Sequence, residues 1–321
     1  LTNVRRSHPI TTIAARIATH WAEVAAVVGL LSLPIRGGFA QRGARAEVPS
    51  AVLETEASVR ADTASPRAAP LFTRRDAAVG ASFAVVTAAL FPFDERIAGS
   101  LQRPELQNHS GLDRAATGFE LVAIPGVFVA SGAAYIVGRV GKHRSMADVG
   151  LHVGGATVVA AAAATGVKYL AGRSRPYVSQ DTDSYDFGFG RGLTKGDAYG
   201  AFPSTHVAVA FAGAAALTSE TAHWWPGATR IVAPLAYGSA TLVGLARMYH
   251  DQHWASDVAL GAGVGTLSGL VVVRRQHAHP GNWIDRTLLS VTVVPVRNGM
   301  AVAWRGGLLA TRPPHVQPTE N

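Results

Sequence analysis

The sequence predicts an all-α core of six helices, on three observations. Six apolar stretches, at about 77–92, 119–138, 149–167, 205–218, 230–246 and 257–273, are rich in Ala, Gly and Val and carry few charges on any face. That is the pattern of helices buried nearly all round. Charged residues make up only 16% of the 321-residue chain, against a usual quarter. A β-type pattern appears only after residue 280. The expected organisation is a leader and linker over 1–70, the helical core over 71–280, and a small hairpin with a tail over 281–321.

Residues 4–20 carry Arg5, Arg6 and Arg16, followed by an apolar run from Val24 to Pro34 and then Gly38-Phe39-Ala40. Basic region, short apolar region and small residue is the order of a secretory signal segment. His20 and Glu23 interrupt it, which fits an amphipathic helix ahead of a linker instead. Residues 41–70 are rich in Ala, Ser, Pro, Arg and Glu with little periodicity, and read as that linker.

The six core stretches run roughly 14 to 20 residues, near or below the ~20 that span a bilayer. They fit short membrane spans or the packed helices of a soluble periplasmic bundle. If all six span, Arg74-Arg75, Arg139 to Arg144 and Arg274-Arg275 fall on one side, as the positive-inside rule expects of the cytoplasm. A cleaved leader would start the first span outside, opposite to that topology. The embedded reading is the first expectation and the soluble bundle its rival. Trp224-Trp225 is an interfacial pair in the first reading and core in the second. The polar segment 177–202 reads as a long loop. After residue 280, Thr287 to Val296 is β-rich, Asn298-Gly299 is a turn signal and Met300 to Trp304 closes a hairpin.

The net charge of +8 does not mark a nucleic-acid partner, because the basic residues are scattered with no aromatic-studded basic stretch. The absence of cysteine excludes thiolate catalysis and disulfides, and suits an oxidising cell-envelope compartment.

Three short motifs carry the chemistry. Lys168 is followed after six residues by Arg175-Pro176. Pro203-Ser204-Thr205-His206 opens the fourth stretch. Arg247 is followed by His253 and then Asp257. Together they supply three cations, two imidazoles, a hydroxyl at a helix start and a carboxylate, an inventory suited to a phosphoryl group in transfer. His253 is the candidate nucleophile, and Asp257, four residues on, is its expected partner on a shared helix face. Ser204 is the expected N-cap of a helix whose free amides bind an anion. His206 is the candidate general acid. Lys168, Arg175 and Arg247 form the clamp. His250-Asp251 beside His253 are metal-ligand types, but no second cluster of fitting ligands is apparent and Arg247 would repel a cation. No metal and no cofactor is expected.

The three motifs resemble those of the type 2 phosphatidic acid phosphatase and vanadium haloperoxidase superfamily, over roughly residues 70 to 280. Two positions depart from its pattern: Ala246 stands where Ser usually precedes the Arg, and Thr205 where Gly usually precedes the His. Thr205 keeps the backbone N–H that the family uses for phosphate, so it stays in the binding set, while Ala246 loses only a supporting hydroxyl. The family spacing selects Arg175 and leaves Arg173 at the rim. The resemblance implies a six-helix phosphatase core and a metal-independent hydrolase of lipid phosphate or diphosphate esters, working through a phosphohistidine. With the basic segments on the cytoplasmic side, the three motifs fall together on the external side. The rivals are a soluble periplasmic acid phosphatase, a haloperoxidase in which the same residues hold vanadate, and a non-catalytic lipid-binding protein.

Overall fold

The computed structural model describes residues 72–279, 283–288 and the strand segments 292–296, 299–304 and 307–309. The expected leader and linker at 1–70 and the tail beyond 309 lie outside the described residues. The chain divides into Leu1–Arg67 and Ala68–Asn321, and the described residues lie in the second unit.

Each apolar stretch is a helix. α1 spans Arg74–Leu90 and starts at a reciprocal cap, in which Thr73 accepts from the Asp76 amide and Asp76 accepts from the Thr73 amide. α2 follows at Asp94–Leu101. α3 (Ser110–Leu121) and α4 (Val127–Val140) form one continuous helical stretch through a π-turn at Val122–Gly126. Pro125 sits in that turn and has no N–H to give the ladder, which accounts for the register change. α5 is Arg144–Ala171, α6 Thr205–Trp224, α7 Thr229–Tyr249 and α8 Ala255–Ala278, with a short α9 at Trp283–Leu288. Thr292–Val296, Gly299–Trp304 and Gly307–Leu309 form a three-stranded antiparallel sheet.

α6 is the axis of the bundle, packed by α5, α7 and α8, with α4 against α5 and α1 against α8. Small residues make this possible. Gly261, Gly265 and Gly269 recur every fourth residue along α8 and so line one face. A Cβ at Gly261 would stand 2.6 Å from the Ser204 carbonyl, and one at Gly269 2.8 Å from that of Ala212. At Gly265 it would collide with the Ala208 carbonyl. Backbones therefore meet without intervening side chains, as small-residue stripes allow between apolar helices. Ala160 and Ala164 of α5 pack with the same Ala208 and Ala212 of α6.

Among the described residues, five helical stretches are long and apolar enough to cross a membrane: Arg74–Leu101, Ser110–Val140, Arg144–Ser179, Pro226–Tyr249 and Ala255–Ala278. Their outer faces are apolar too. Val85, Val86, Val129, Ile136, Ile231, Leu235 and Leu245 all project outward, exposed, which in water would form an unusually large apolar surface. Length, composition and outer faces make this a membrane protein. Arg274 of α8 pairs with Asp76 of α1 at 2.6 Å, so the basic start of α1 and the basic end of α8 share one end of the bundle. The three motifs sit at the other.

Candidate active site

The site is built where α5 ends, α6 begins and α8 begins. Lys168 lies in the last turn of α5, which Gly172 closes in the left-handed region at φ 56°, its amide donating to the Lys168 carbonyl at 3.1 Å. Lys168 runs past Gly200, where an added Cβ would stand 3.1 Å from its Cδ. The chain then leaves extended through Arg173, Ser174 and Arg175, and the 177–202 loop folds back on it. The Ser174 amide donates to the Asp186 carbonyl, that of Arg175 to Ala198, and that of Ala201 to Arg173.

His253 lies two residues ahead of α8, not on it, so the helical pairing expected with Asp257 is not how its ring is held. Nδ1 is 2.8 Å from the Ala201 carbonyl and 3.6 Å from Asp257 Oδ2. A carbonyl only accepts, so Nδ1 carries the proton and Nε2 presents its lone pair. Nε2 is buried and makes no hydrogen bond among the described residues. Burial, then the charges of Arg175, Arg247 and Lys168, hold the His253 pKa well below the ordinary imidazole value. The ring is a neutral base with its free nitrogen aimed into a cationic site.

Asp257 has a different task from the expected one. Its Oδ2 accepts the Trp254 amide at 2.8 Å, capping α8, and its Oδ1 accepts from Arg173 at 2.5 Å. Its carbonyl accepts the Ser204 amide at 3.1 Å, fastening the start of α6 to the start of α8.

Ser204 occupies the N-cap position of α6, but its side chain makes no capping bond. Ser204 Oγ and Thr205 Oγ1 are both buried without a hydrogen-bond partner among the described residues. They flank the free amides of the first turn, where a helix favours an anion. His206 follows in that turn, half-buried.

The two guanidiniums of the clamp are already engaged. All five Arg175 N–H groups are used: Asp197 takes a two-oxygen bridge at 2.8 Å and a carbonyl bond at 2.8 Å, and Gln252 takes two more. Burial tends to raise the Asp197 pKa, but Arg175 and Lys168 outweigh it and leave that carboxyl below its ordinary range. Arg247 bonds Glu120 Oε1 at 2.8 Å and Gln252 Oε1 at 3.4 Å, while its Nε is buried without a partner. Gln252 thus bridges the two guanidiniums.

Arg173, expected at the rim, is at the centre instead and wholly buried. Its five N–H groups make five bonds to four acceptors: the Ser184 carbonyl twice, Ser256 Oγ, Asp257 Oδ1 and Asp94 Oδ2. The rings of Phe91, Phe187 and Trp254 lie within 5.4 Å of its guanidinium carbon. A planar, fully donating fork among aromatic faces suits Arg and not Lys. His250 turns to Glu120 at 2.9 Å and Asp113 at 3.5 Å, while Asp251 faces Asp181, so the two form no common ligand set.

The pieces therefore converge: an unpartnered imidazole nitrogen, two unpartnered hydroxyls and a helix start, ringed by Lys168, Arg175 and Arg247. The arrangement can hold a tetrahedral anion and present a nucleophile to it.

Residues 150–280 match the model of the PAP2 superfamily. A lipid A 1-phosphatase of Porphyromonas gingivalis is 37% identical over 86 residues, which are 26% of this chain and 18% of that protein. The match thus spans less than a fifth of that relative's length. A crystal structure of a transmembrane PAP2-type phosphatidylglycerolphosphate phosphatase from Bacillus subtilis is 17% identical, with a TM-score of 0.43 over 66% of this chain and 99% of that one.

Proposed function

With residues 150–280 carrying the PAP2 superfamily match, we propose that this protein is a phosphatase that hydrolyses lipid phosphate or diphosphate esters through a phosphohistidine at His253, with no catalytic metal. The observation that carries this is the open His253 Nε2, beside the unpartnered Ser204 and Thr205 hydroxyls, in a ring of three cations. In the first step Nε2 attacks phosphorus and the bond to the leaving oxygen breaks. That oxygen takes a proton from His206. In the second step water attacks phosphorus, His206 takes a proton back, and the P–N bond breaks to release phosphate. Lys168, Arg175 and Arg247 supply the charge that a metal would otherwise bring. The substrate's phosphoryl oxygens replace the Asp197 carboxylate in the Arg175 fork, since both offer the same paired acceptors. The apolar outer faces and the named activity of the P. gingivalis relative support a lipid phosphate as the class of substrate.

A phosphate-release panel tests this reading across lipid phosphates and soluble esters. We expect lipid phosphates to be preferred, chelation to leave the initial rate unchanged and vanadate to inhibit, because it resembles the five-coordinate transition state. A His206→Ala variant should lose ~10²–10⁴-fold on alkyl esters and much less on an aryl phosphate, whose leaving group needs no proton. Activity abolished by chelation and restored by a divalent ion would reject the mechanism. Halide oxidation supported by vanadate, without phosphate release, would favour the haloperoxidase reading.

We propose further that the site faces outward, opposite the basic end of the bundle. Thr194 is exposed in the 177–202 loop, and the chain has no native thiol. A Thr194→Cys variant should react with a membrane-impermeant maleimide in intact cells. Reaction only after lysis would place the site inside.

A further inference from the structure

At the end of the bundle remote from the motifs, three helices bring ligand-type side chains into one spot. His152 lies two turns into α5, Glu220 one turn before the end of α6, and His277 in the last turn of α8. At 1.5 Å per residue, His152 lies roughly 24 Å along α5 from Lys168, and Glu220 roughly 21 Å along α6 from His206. The cluster is no part of the phosphate site.

His152 Nδ1 is 2.6 Å and His277 Nε2 2.9 Å from the same oxygen, Glu220 Oε1. The three ligand atoms lie within 4.8 Å of one another. The His152 and Glu220 side chains are 3% and 0% exposed, while His277 is 27% exposed and gives a way in from the surface. Two outer contacts complete the picture. Trp224 Nε1 donates to Glu220 Oε2 at 3.1 Å and so holds the carboxylate's second oxygen. His152 Nε2 is buried, makes no hydrogen bond among the described residues and faces Asp285 Oδ1 at 3.8 Å.

We propose that His152, Glu220 and His277 bind a divalent transition-metal ion of the zinc type, which ties α5, α6 and α8 together at this end. Two imidazole nitrogens and one carboxylate oxygen are a zinc-like donor set. Ligands of a tetrahedral ion with bonds near 2.0–2.1 Å stand roughly 3.3 Å apart, so the observed spacings need to open by about half an ångström. Asp285, on the far side of the His152 ring, is placed to accept Nε2–H and leave Nδ1 for the ion, the carboxylate–histidine–metal arrangement. Trp224 orients Glu220 in the same way.

The test uses the full chain in detergent, stripped with a chelator and titrated with Zn²⁺ alone, or with Co²⁺ alone, against a chromophoric competitor. One Zn²⁺ per chain is expected, together with a higher unfolding temperature. Co²⁺ should give the intense visible bands of a low-coordinate site, and Zn²⁺ should displace them. His277→Gln should weaken binding by at least about tenfold to a hundredfold, no less than the loss of an outer-shell partner. His143→Gln, altering an exposed histidine outside the cluster, should leave binding unchanged. Should the cluster variants fail to fold, the Co²⁺ spectrum of the unaltered protein still decides. Absence of those bands, less than stoichiometric Zn²⁺, or binding that survives His277→Gln would leave an ion-free His–Glu–His network and overturn the proposal.

Discussion

Replacing His253 by Gln is expected to lower phosphate release by about 10⁴-fold or more, the scale of loss when a catalytic nucleophile is removed. The unfolding temperature should move by only a few degrees. Gln approximates the imidazole in length and polarity but offers phosphorus no basic nitrogen, and it gives up the Nδ1 bond to the Ala201 carbonyl at 2.8 Å. Activity within tenfold of the unaltered protein would remove His253 from the mechanism. The same residue links stability to pH. Its pKa in the fold lies well below the ordinary 6.5, so below that pH the unfolded chain takes up a proton that the folded ring refuses. Its contribution is therefore full above pH 6.5 and is lost as pH falls toward the folded value, by up to about 1.4 kcal/mol per unit.

The second large effect is expected away from the reacting atoms. Arg173→Lys should destabilise the fold by about 3–5 kcal/mol, the cost of breaking a buried ion pair and leaving charge uncompensated. One ammonium with three donors cannot replace five bonds to Ser184, Ser256, Asp257 and Asp94. Because Asp257 caps α8 beside His253 and fastens Ser204, phosphate release should fall as well. Thermal unfolding in detergent, read beside the rate, decides the matter. A variant that keeps both its melting temperature and its rate would show that the network is dispensable.

Much of this could be read from the chain. All six apolar stretches fall on helical segments because little but Ala, Gly and Val lies between their charged ends. The motif residues were legible because their spacing is local: Lys168 and Arg175 seven apart, His253 and Asp257 four apart. What escaped was long-range or carried by the backbone. The group that fixes the His253 tautomer is the carbonyl of Ala201, and no side-chain pattern announces a carbonyl. Arg173 stood among other basic residues in sequence, and its partners Asp94 and Asp257 lie 79 and 84 positions away. Glu120, which engages both Arg247 and His250, sits in an apolar run 127 positions before Arg247. His152, Glu220 and His277 are separated by 68 and 57 residues, so no ligand-spacing rule could unite them. Only the small-residue packing of α5, α6 and α8 brings them together.

The proposed mechanism requires a phosphoryl group to pass through His253. The direct measurement mixes the protein with a radiolabelled phosphomonoester, stops the reaction in alkali within the first turnover, and maps any labelled peptide. A P–N bond survives alkali and is lost in acid, whereas a serine or threonine ester resists acid. The expected result is an acid-labile label on the peptide containing His253, approaching at most one per chain and absent in His253→Gln. An acid-stable label on Ser204 or Thr205, or no covalent label during rapid turnover, would contradict it.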